Sequence, residues 1–381
     1  MNRTTAVALI AAGIVGIAGG TVSAVVRGED TGTTPSPVSS RTPKATPKVT
    51  SKVTPSASPS ATSTSSPSAV AEPGPAETNE PLLYAKGGKI HDGTRVVAFP
   101  KGRVQRLARA GDGWLVATSA SVEDFVTFNL WWLTDSTPAR RLAEVSSWDP
   151  DADGRRVAAY DVNAGQVKVW SLPTTKVTGV YATEGSPVLT PGFAGHDVLI
   201  SQDIGTQIDL VRWNPDTGHS KIIGIGYDAL SLSPGGSYLT GAVGPEGASG
   251  DTNPCLHLES TYLKKHHVSW KTCDWRVDSS PTRFSPDGTR LIAIPADSDG
   301  FGPGEFGIID ASDGPRKLVA TVKAPALTLG AEWADNDHLY LYGSNNEDTA
   351  SGGMWIKRCD LEGQCTPVAT AKGNLTVGSG L

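Results

Sequence analysis

The chain has 381 residues, 38% of them hydrophobic, and 33 basic residues against 39 acidic ones give a formal net charge of −6. That balance argues against a nucleic-acid binder, which usually needs a basic face. No P-loop, dinucleotide fingerprint, H-E-x-x-H or G-x-S-x-G occurs, so the common nucleotide, zinc-protease and serine-hydrolase signatures are excluded.

Residues Ala6 to Val26 are apolar or small and lie between Arg3 and Arg27. About 20 such residues span a bilayer as a helix. Val22-Ser23-Ala24 also offers the small residues a signal peptidase requires. Residues 1–27 therefore read as a membrane anchor or a cleaved signal peptide. No Cys follows the apolar run, so a lipoprotein anchor is not expected. Residues 28–80 are Thr, Ser, Pro and Ala with scattered Lys, and carry too few large apolar side chains to offset ordering entropy. They are expected to form a disordered, semi-stiff tether. Lys44, Lys48 and Lys52 either contact anionic wall polymer or serve solubility. Without residues 1–80 the remainder holds 27 basic and 34 acidic residues, a net charge of −7.

Residues 81–381 read as strands throughout. Pro81 to Phe99 gives three short strands with a Gly-Gly turn. Six longer units then begin near Val104, Ser146, Ser186, Tyr227, Ser279 and Leu329. Each opens on a hairpin whose turn is rich in Asp, Gly, Pro or Asn, the residues that supply positive φ and fixed Pro geometry. The hairpins are Ser147–Tyr160, Ser231–Thr240, Phe284–Ala293 and Glu332–Leu341 in the clearest cases. A third strand follows at Phe128, Val167, Ile208, Phe306 and Met354, and a fourth at Arg140, Lys176, Lys221, Lys317 and Pro367. The unit from Tyr227 carries an insertion around Gly241 to Asn253. Asn374 to Leu381 adds one last strand.

Four antiparallel strands recurring about every 40 to 50 residues signal an all-β propeller. Six complete units plus the terminal remnants predict seven blades, six or eight being the alternatives. The seventh would take its inner strand from the C-terminus and its outer strands from Pro81–Phe99, which closes the ring and leaves no open edge.

F-S-P-D-G-T-R-L-I-A, Phe284 to Ala293, resembles the WD-like repeat of TolB-type propellers, and V-K-V-W-S-L at Val167 resembles the W-D strand of WD repeats with Ser171 in place of the Asp. The resemblance implies the fold and not an activity. A sialidase-type S-x-D-x-G-x-T-W box is not matched: nothing stands between Asp287 and Gly288, and no Trp follows.

The four Cys form two pairs, each symmetric about a hairpin between third and fourth strands: Cys255 with Cys273, and Cys359 with Cys365. Such positions face each other across an antiparallel pair, within disulfide reach, and imply an oxidising compartment. Their spacings do not match zinc ribbons or fingers.

Asp149, Asp151, Asp153 and Gly154 open like a calcium loop, but Tyr160 stands where an EF-hand has Glu and Val157 where an integrin-type loop has Asp. An acidic hairpin turn explains them without a metal, and Asp297–Gly300 is a shorter version of the same pattern. His257 is expected opposite Ser269 to Lys271, away from His266 and His267, so no metal trio forms. Trp131, Trp132, Trp170, Trp213 and Trp355 fall on third strands, where packing accounts for them. Trp114, Trp148, Trp270, Trp275 and Trp333 include the candidates for stacking on a sugar. Asp149, Asp151, Asp287, Asp335 and Asp337 are expected on hairpin turns at one rim.

The reading is an extracytoplasmic propeller, tethered to the membrane if the N-terminal helix is uncleaved, that binds an envelope protein or glycan. It needs no cofactor and names no catalytic residue. A carbohydrate-active lyase or hydrolase, or a structural envelope protein, is the alternative.

Overall fold

A computed structural model describes residues 81–378 except 120–126, 186–187, 206, 226–227, 244–254, 261–267, 278–282, 299–301, 315–317, 346–352 and 374. The N-terminal hydrophobic segment and the Pro/Ser/Thr-rich tether lie outside the described residues. Among those residues no helix is long and apolar enough to cross a membrane.

The chain is all-β. β1 (Leu83–Lys86) turns through Gly87 and Gly88 into β2 (Lys89–Asp92), and β3 (Arg95–Ala98) follows. Next come β4 (Val104–Ala110), β5 (Gly113–Ser119), β6 (Phe128–Thr134), β7 (Arg140–Pro150), β8 (Arg156–Asp161), β9 (Gln166–Ser171) and β10 (Lys176–Ala182), joined in sequence as one seven-stranded antiparallel sheet. β7 has 11 residues and serves two units at once. Its first half pairs β6 as a fourth strand and its second half pairs β8 as a first strand. No Gly or Pro lies between Arg140 and Asp149 to break it.

Four four-stranded meanders follow, each paired in chain order. The first is β11 (Val188–Ala194), β12 (Asp197–Asp203), β13 (Ile208–Trp213) and β14 (Ser220–Ile225). The second is β15 (Asp228–Leu232), β16 (Tyr238–Val243), β17 (Cys255–Ser260) and β18 (Val268–Thr272). The third is β19 (Trp275–Arg276), β20 (Arg290–Pro295), β21 (Glu305–Asp310) and β22 (Ala320–Lys323). The fourth is β23 (Thr328–Trp333), β24 (His338–Ser344), β25 (Gly353–Asp360) and β26 (Cys365–Lys372). β27 (Leu375–Val377) then pairs antiparallel with β1, matching Leu375 to Lys86 and Val377 to Tyr84. The terminal sheet thus runs β27-β1-β2-β3, inner strand from the C-terminus, as the sequence predicts.

Three boundaries differ from expectation. The unit placed at Ser279 opens earlier, at Trp275, where the Trp275 ring covers Gly307 and pins the strand. Gly241, expected in an insertion, lies inside β16 opposite His257. The fourth strand expected from Lys317 starts at Ala320, preceded by a hydrogen bond from Val319 N to Ile308 O.

Second strands are the most buried: every residue of β5 except Ser119 is buried. Large rings fill the spaces between sheets. Trp132, Trp148 and Trp170 share one cluster, Phe193 and Trp213 a second, Trp333 and Trp355 a third. Five of the third-to-fourth strand pairings contain a register shift, at Leu130/Trp131, Val177/Gly179, Leu210/Val211, Leu258/Glu259 and Ile356/Lys357. Such bulges twist an outer edge away from pairing with another chain.

Both expected disulfides are present, Cys255–Cys273 and Cys359–Cys365. Leu256 pairs Thr272, which sets Cys255 directly opposite Cys273, and Cys359 pairs Cys365 in register. Loop closure makes each worth about 2–3 kcal/mol, the longer loop more. Reduction under non-denaturing conditions should lower the melting temperature measurably. Melting unchanged by a thiol that mass spectrometry shows has opened both bonds would contradict this.

Candidate functional site: the inner-strand rim

The first hairpins of three units are built on one repeated turn. Asp151 N bonds Arg156 O at 3.0 Å and Gly154 N bonds Asp151 O at 2.8 Å. Ser233 with Tyr238 and Gly236, and Ser285 with Arg290 and Gly288, repeat both bonds at 2.8 Å. The glycine of each turn has positive φ (63°, 76° and 71°), which an L side chain resists. The leading side chain caps the turn. Asp151 Oδ1 accepts from Arg155 N and Arg156 N, Ser233 Oγ from Tyr238 N, and Ser285 Oγ from Arg290 N. In the last unit the turn is one residue shorter, Ala334 N bonding His338 O.

These turns touch one another around the rim. A Cβ on Gly111 would meet Gly154 O at 3.0 Å, and one on Gly236 would meet Ala194 Cα at 2.6 Å. Asp287 N donates to Asn336 Oδ1, and Arg290 bonds Asn336 O and Asp337.

The expected rim carboxylates are therefore mostly occupied. Asp151 is buried, and besides its capping bonds pairs with Arg156 Nε at 2.9 Å. Asp153 is exposed. Burial alone would raise the Asp287 carboxyl, but bonds from Ser285 and Thr289 and the nearby Arg290 outweigh it and hold it below the usual range. Asp335 is held low in the same way, burial being overcome by His338, Asp337 N and Arg358. Asp337 is exposed and pairs with Arg290 at 3.0 Å.

Asp149 departs from expectation, because it lies within β7, opposite Ala158, and not on a turn. Its carboxylate has no hydrogen bond or ion pair among the described residues. One oxygen lies 2.7 Å from where a Cβ of Gly192 would stand, with Leu232 beside it. Gly192 has φ 141°, at a register shift in the β11–β12 pairing. Desolvation, with repulsion from Asp151 added, pushes the Asp149 carboxyl well above its ordinary range. Sequence patterning signalled an acidic segment here. It gave no sign that Asp149 and Asp151, two residues apart, face such different surroundings.

A raised folded-state pKa means that ionisation costs stability above the ordinary carboxyl value of about 4. Asp149→Asn should match the wild type at lower pH and be the more stable by on the order of 1–3 kcal/mol near pH 8. Melting curves of both proteins across this range check the sign. A variant less stable at pH 8 would show that Asp149 is paired as a charge.

We expect the fold not to depend on calcium, since Asp151 is spent on its turn and on Arg156. EDTA should shift melting by little. A fall of several degrees, restored by calcium, would overturn this.

His257 pairs Lys271 as expected, whereas His266 and His267 lie outside the described residues. Asp297 is exposed at the end of β20, and part of its acidic turn is also outside them. None of the ten Trp rings is exposed. Trp114, Trp148 and Trp333 are buried, and the half-buried Trp270 and Trp275 lie against Gly314 and Gly307. The rings proposed for sugar stacking are thus used in packing.

No family model matches the chain, and no curated protein matches it. Solved structures of similar shape include an uncharacterized protein from Listeria monocytogenes, at 11% identity and TM-score 0.49, over 73% of this chain and 86% of that one. The β-propeller domain of Myceliophteria thermophila Cps50 (Swd1) is similar at 11% identity and TM-score 0.46, over 75% and 92%. TolB from Acinetobacter baumannii is similar at 13% identity and TM-score 0.42, over 80% and 68%. In fold alone, the chain is similar to TolB- and WD-like β-propellers.

Proposed function

We propose that the chain is an extracytoplasmic seven-bladed propeller, residues 81–381, held to the membrane by residues 1–27 through the tether 28–80. It acts as a non-catalytic binding module for an envelope protein or glycan. The seven-blade count is supported by the strand order once β7 is divided between two units. Export is supported by the two disulfides. The binding role is carried by one observation: Asp151, Asp287, Asp335 and Asp337 are all engaged in turn bonds or ion pairs. A glycosidase needs two carboxyl groups free to face one bond.

The soluble head, residues 81–381, should retain a specific component of envelope extract, and retention should saturate with that component once purified. Release of glycan fragments by the head, and loss of that release in an Asp variant, would replace this reading with the carbohydrate-active one.

A further inference from the structure

Asp149 on β7, Ser231 on β15 and Glu332 on β23 are polar residues two positions before the residue that opens the turn, and Arg283, between β19 and β20, holds the same place in its unit. Where the geometry is plain, this position faces the inner strand of the following unit. Arg283 Nη1 donates to Ala331 O on β23 at 2.9 Å, and Asp149 faces Gly192 on β11. The position is thus a seam between units. At Arg283 the seam is closed by the protein itself. At Asp149 it is not: β11 offers a glycine at a bulge, β15 offers Leu232, and among the described residues no donor reaches the carboxylate.

The surroundings fix the sign of what would fit. Just past the end of its own strand lies Asp151, a second negative charge. The cation on β8, Arg156, is committed to Asp151 at 2.9 Å and leans towards Asp216 at 3.8 Å. It also lies 5.0 Å over the Phe193 ring. Gly192 and Leu232 bring no charge. Asp149 nonetheless keeps some solvent contact and is not sealed.

We propose that Asp149 anchors a primary ammonium group, entering the seam between β7 and β11. Three N–H donors on a compact cation suit one free carboxylate. A calcium ion would need about six oxygens, and among the described residues no three His, Cys, Asp or Glu side chains gather to hold a metal. Leu232 and the bare Gly192 backbone suit the carbon bearing the nitrogen. The inference rests on the reading of the chain as a binding module and specifies the ligand chemistry at one point of it. The amine competes with the proton for Asp149, so binding strengthens as pH rises through the raised carboxyl pKa.

Methylammonium chloride is the probe, with tetramethylammonium chloride as a cation of equal charge and no N–H. The limit on affinity per heavy atom puts methylammonium no tighter than roughly 5–10 mM. The wild-type head should show a saturable rise in melting temperature with methylammonium, larger at pH 8 than at pH 5. Tetramethylammonium should give none. Asp149→Asn, which is expected to fold and melt higher, should bind at least ~10-fold more weakly. No saturable rise, an equal rise in Asp149→Asn, or an equal rise with tetramethylammonium overturns the proposal, as does calcium binding at Asp149 instead. The same two proteins separate this from the module reading in the envelope retention experiment. A component that saturates equally on both overturns the Asp149 anchor alone. No retained component, with methylammonium binding intact, overturns the module alone.

Discussion

Deleting residues 374–381 should cost the head much of its stability. β27 has only three residues, yet Leu375 and Val377 are both buried, against Tyr340, Met354 and Ile356 of the preceding sheet. Burying each aliphatic side chain is worth about 1.5–3 kcal/mol. The deletion also removes the bonds from Thr376 Oγ1 to Val104 O, at 2.7 Å, and from Gly378 N to Leu83 O, at 2.9 Å. It strips the hydrogen-bonding partner from one side of β1 and uncovers Leu83 and Leu107, on which Gly378 rests. The expected result is a loss of roughly 3–6 kcal/mol, with aggregation through the bared edge of β1. Leu375→Asp should reproduce most of the loss without shortening the chain. Melting of the deletion at the wild-type temperature would mean that β27 is dispensable and the ring closes without it.

That closure was legible in the sequence because a strand census left two complementary remnants, and alternation alone put apolar residues at 375 and 377. Hairpins announced themselves through turn chemistry: the Gly of D-A-D-G, S-P-G-G and S-P-D-G occupies the position that needs positive φ. Cysteine pairing followed from antiparallel symmetry. The fusion of two units through β7 was hidden, because a continuous strand and a short apolar linker look alike in sequence. The state of Asp149 was hidden for a different reason. It depends on Gly192 and Leu232, which are distant in sequence, and no periodicity reports what stands opposite a side chain across a seam. The same limit concealed the ion-pair network around Asp92.

Asp92→Ala is expected to be the most damaging single substitution. Asp92 ends β2, and its side chain is only 5% exposed. One oxygen accepts from Arg109 Nη2 at 2.6 Å and Nε at 3.1 Å, and the other from Trp114 Nε1 at 3.0 Å. Arg109 lies on β4 and Trp114 on β5, so this carboxylate fastens the terminal sheet to the next one. Arg109 also donates to Pro81 O. Above them the Arg95 guanidinium lies 4.2 Å from the Trp114 ring centroid and pairs with Asp135 at 2.7 Å. Removing Asp92 strips Arg109, 17% exposed, of its 2.6 Å ion pair with Asp92 and takes from the Trp114 indole N–H the carboxylate that accepts it. Breaking a buried pair on one side costs about 3–5 kcal/mol, a fall of roughly 5–15 °C for a domain of this size. Asp135→Ala is the contrast. Asp135 is 55% exposed, so its pair with Arg95 should contribute no more than about 1 kcal/mol. Replacing both partners, Asp92→Leu with Arg109→Met, should recover most of the loss, because no charge is then stranded, although the Trp114 N–H still lacks an acceptor. Equal effects of Asp92→Ala and Asp135→Ala would show that the network is a surface feature. No recovery in the double variant would show that shape, and not charge, holds the terminal sheet in place.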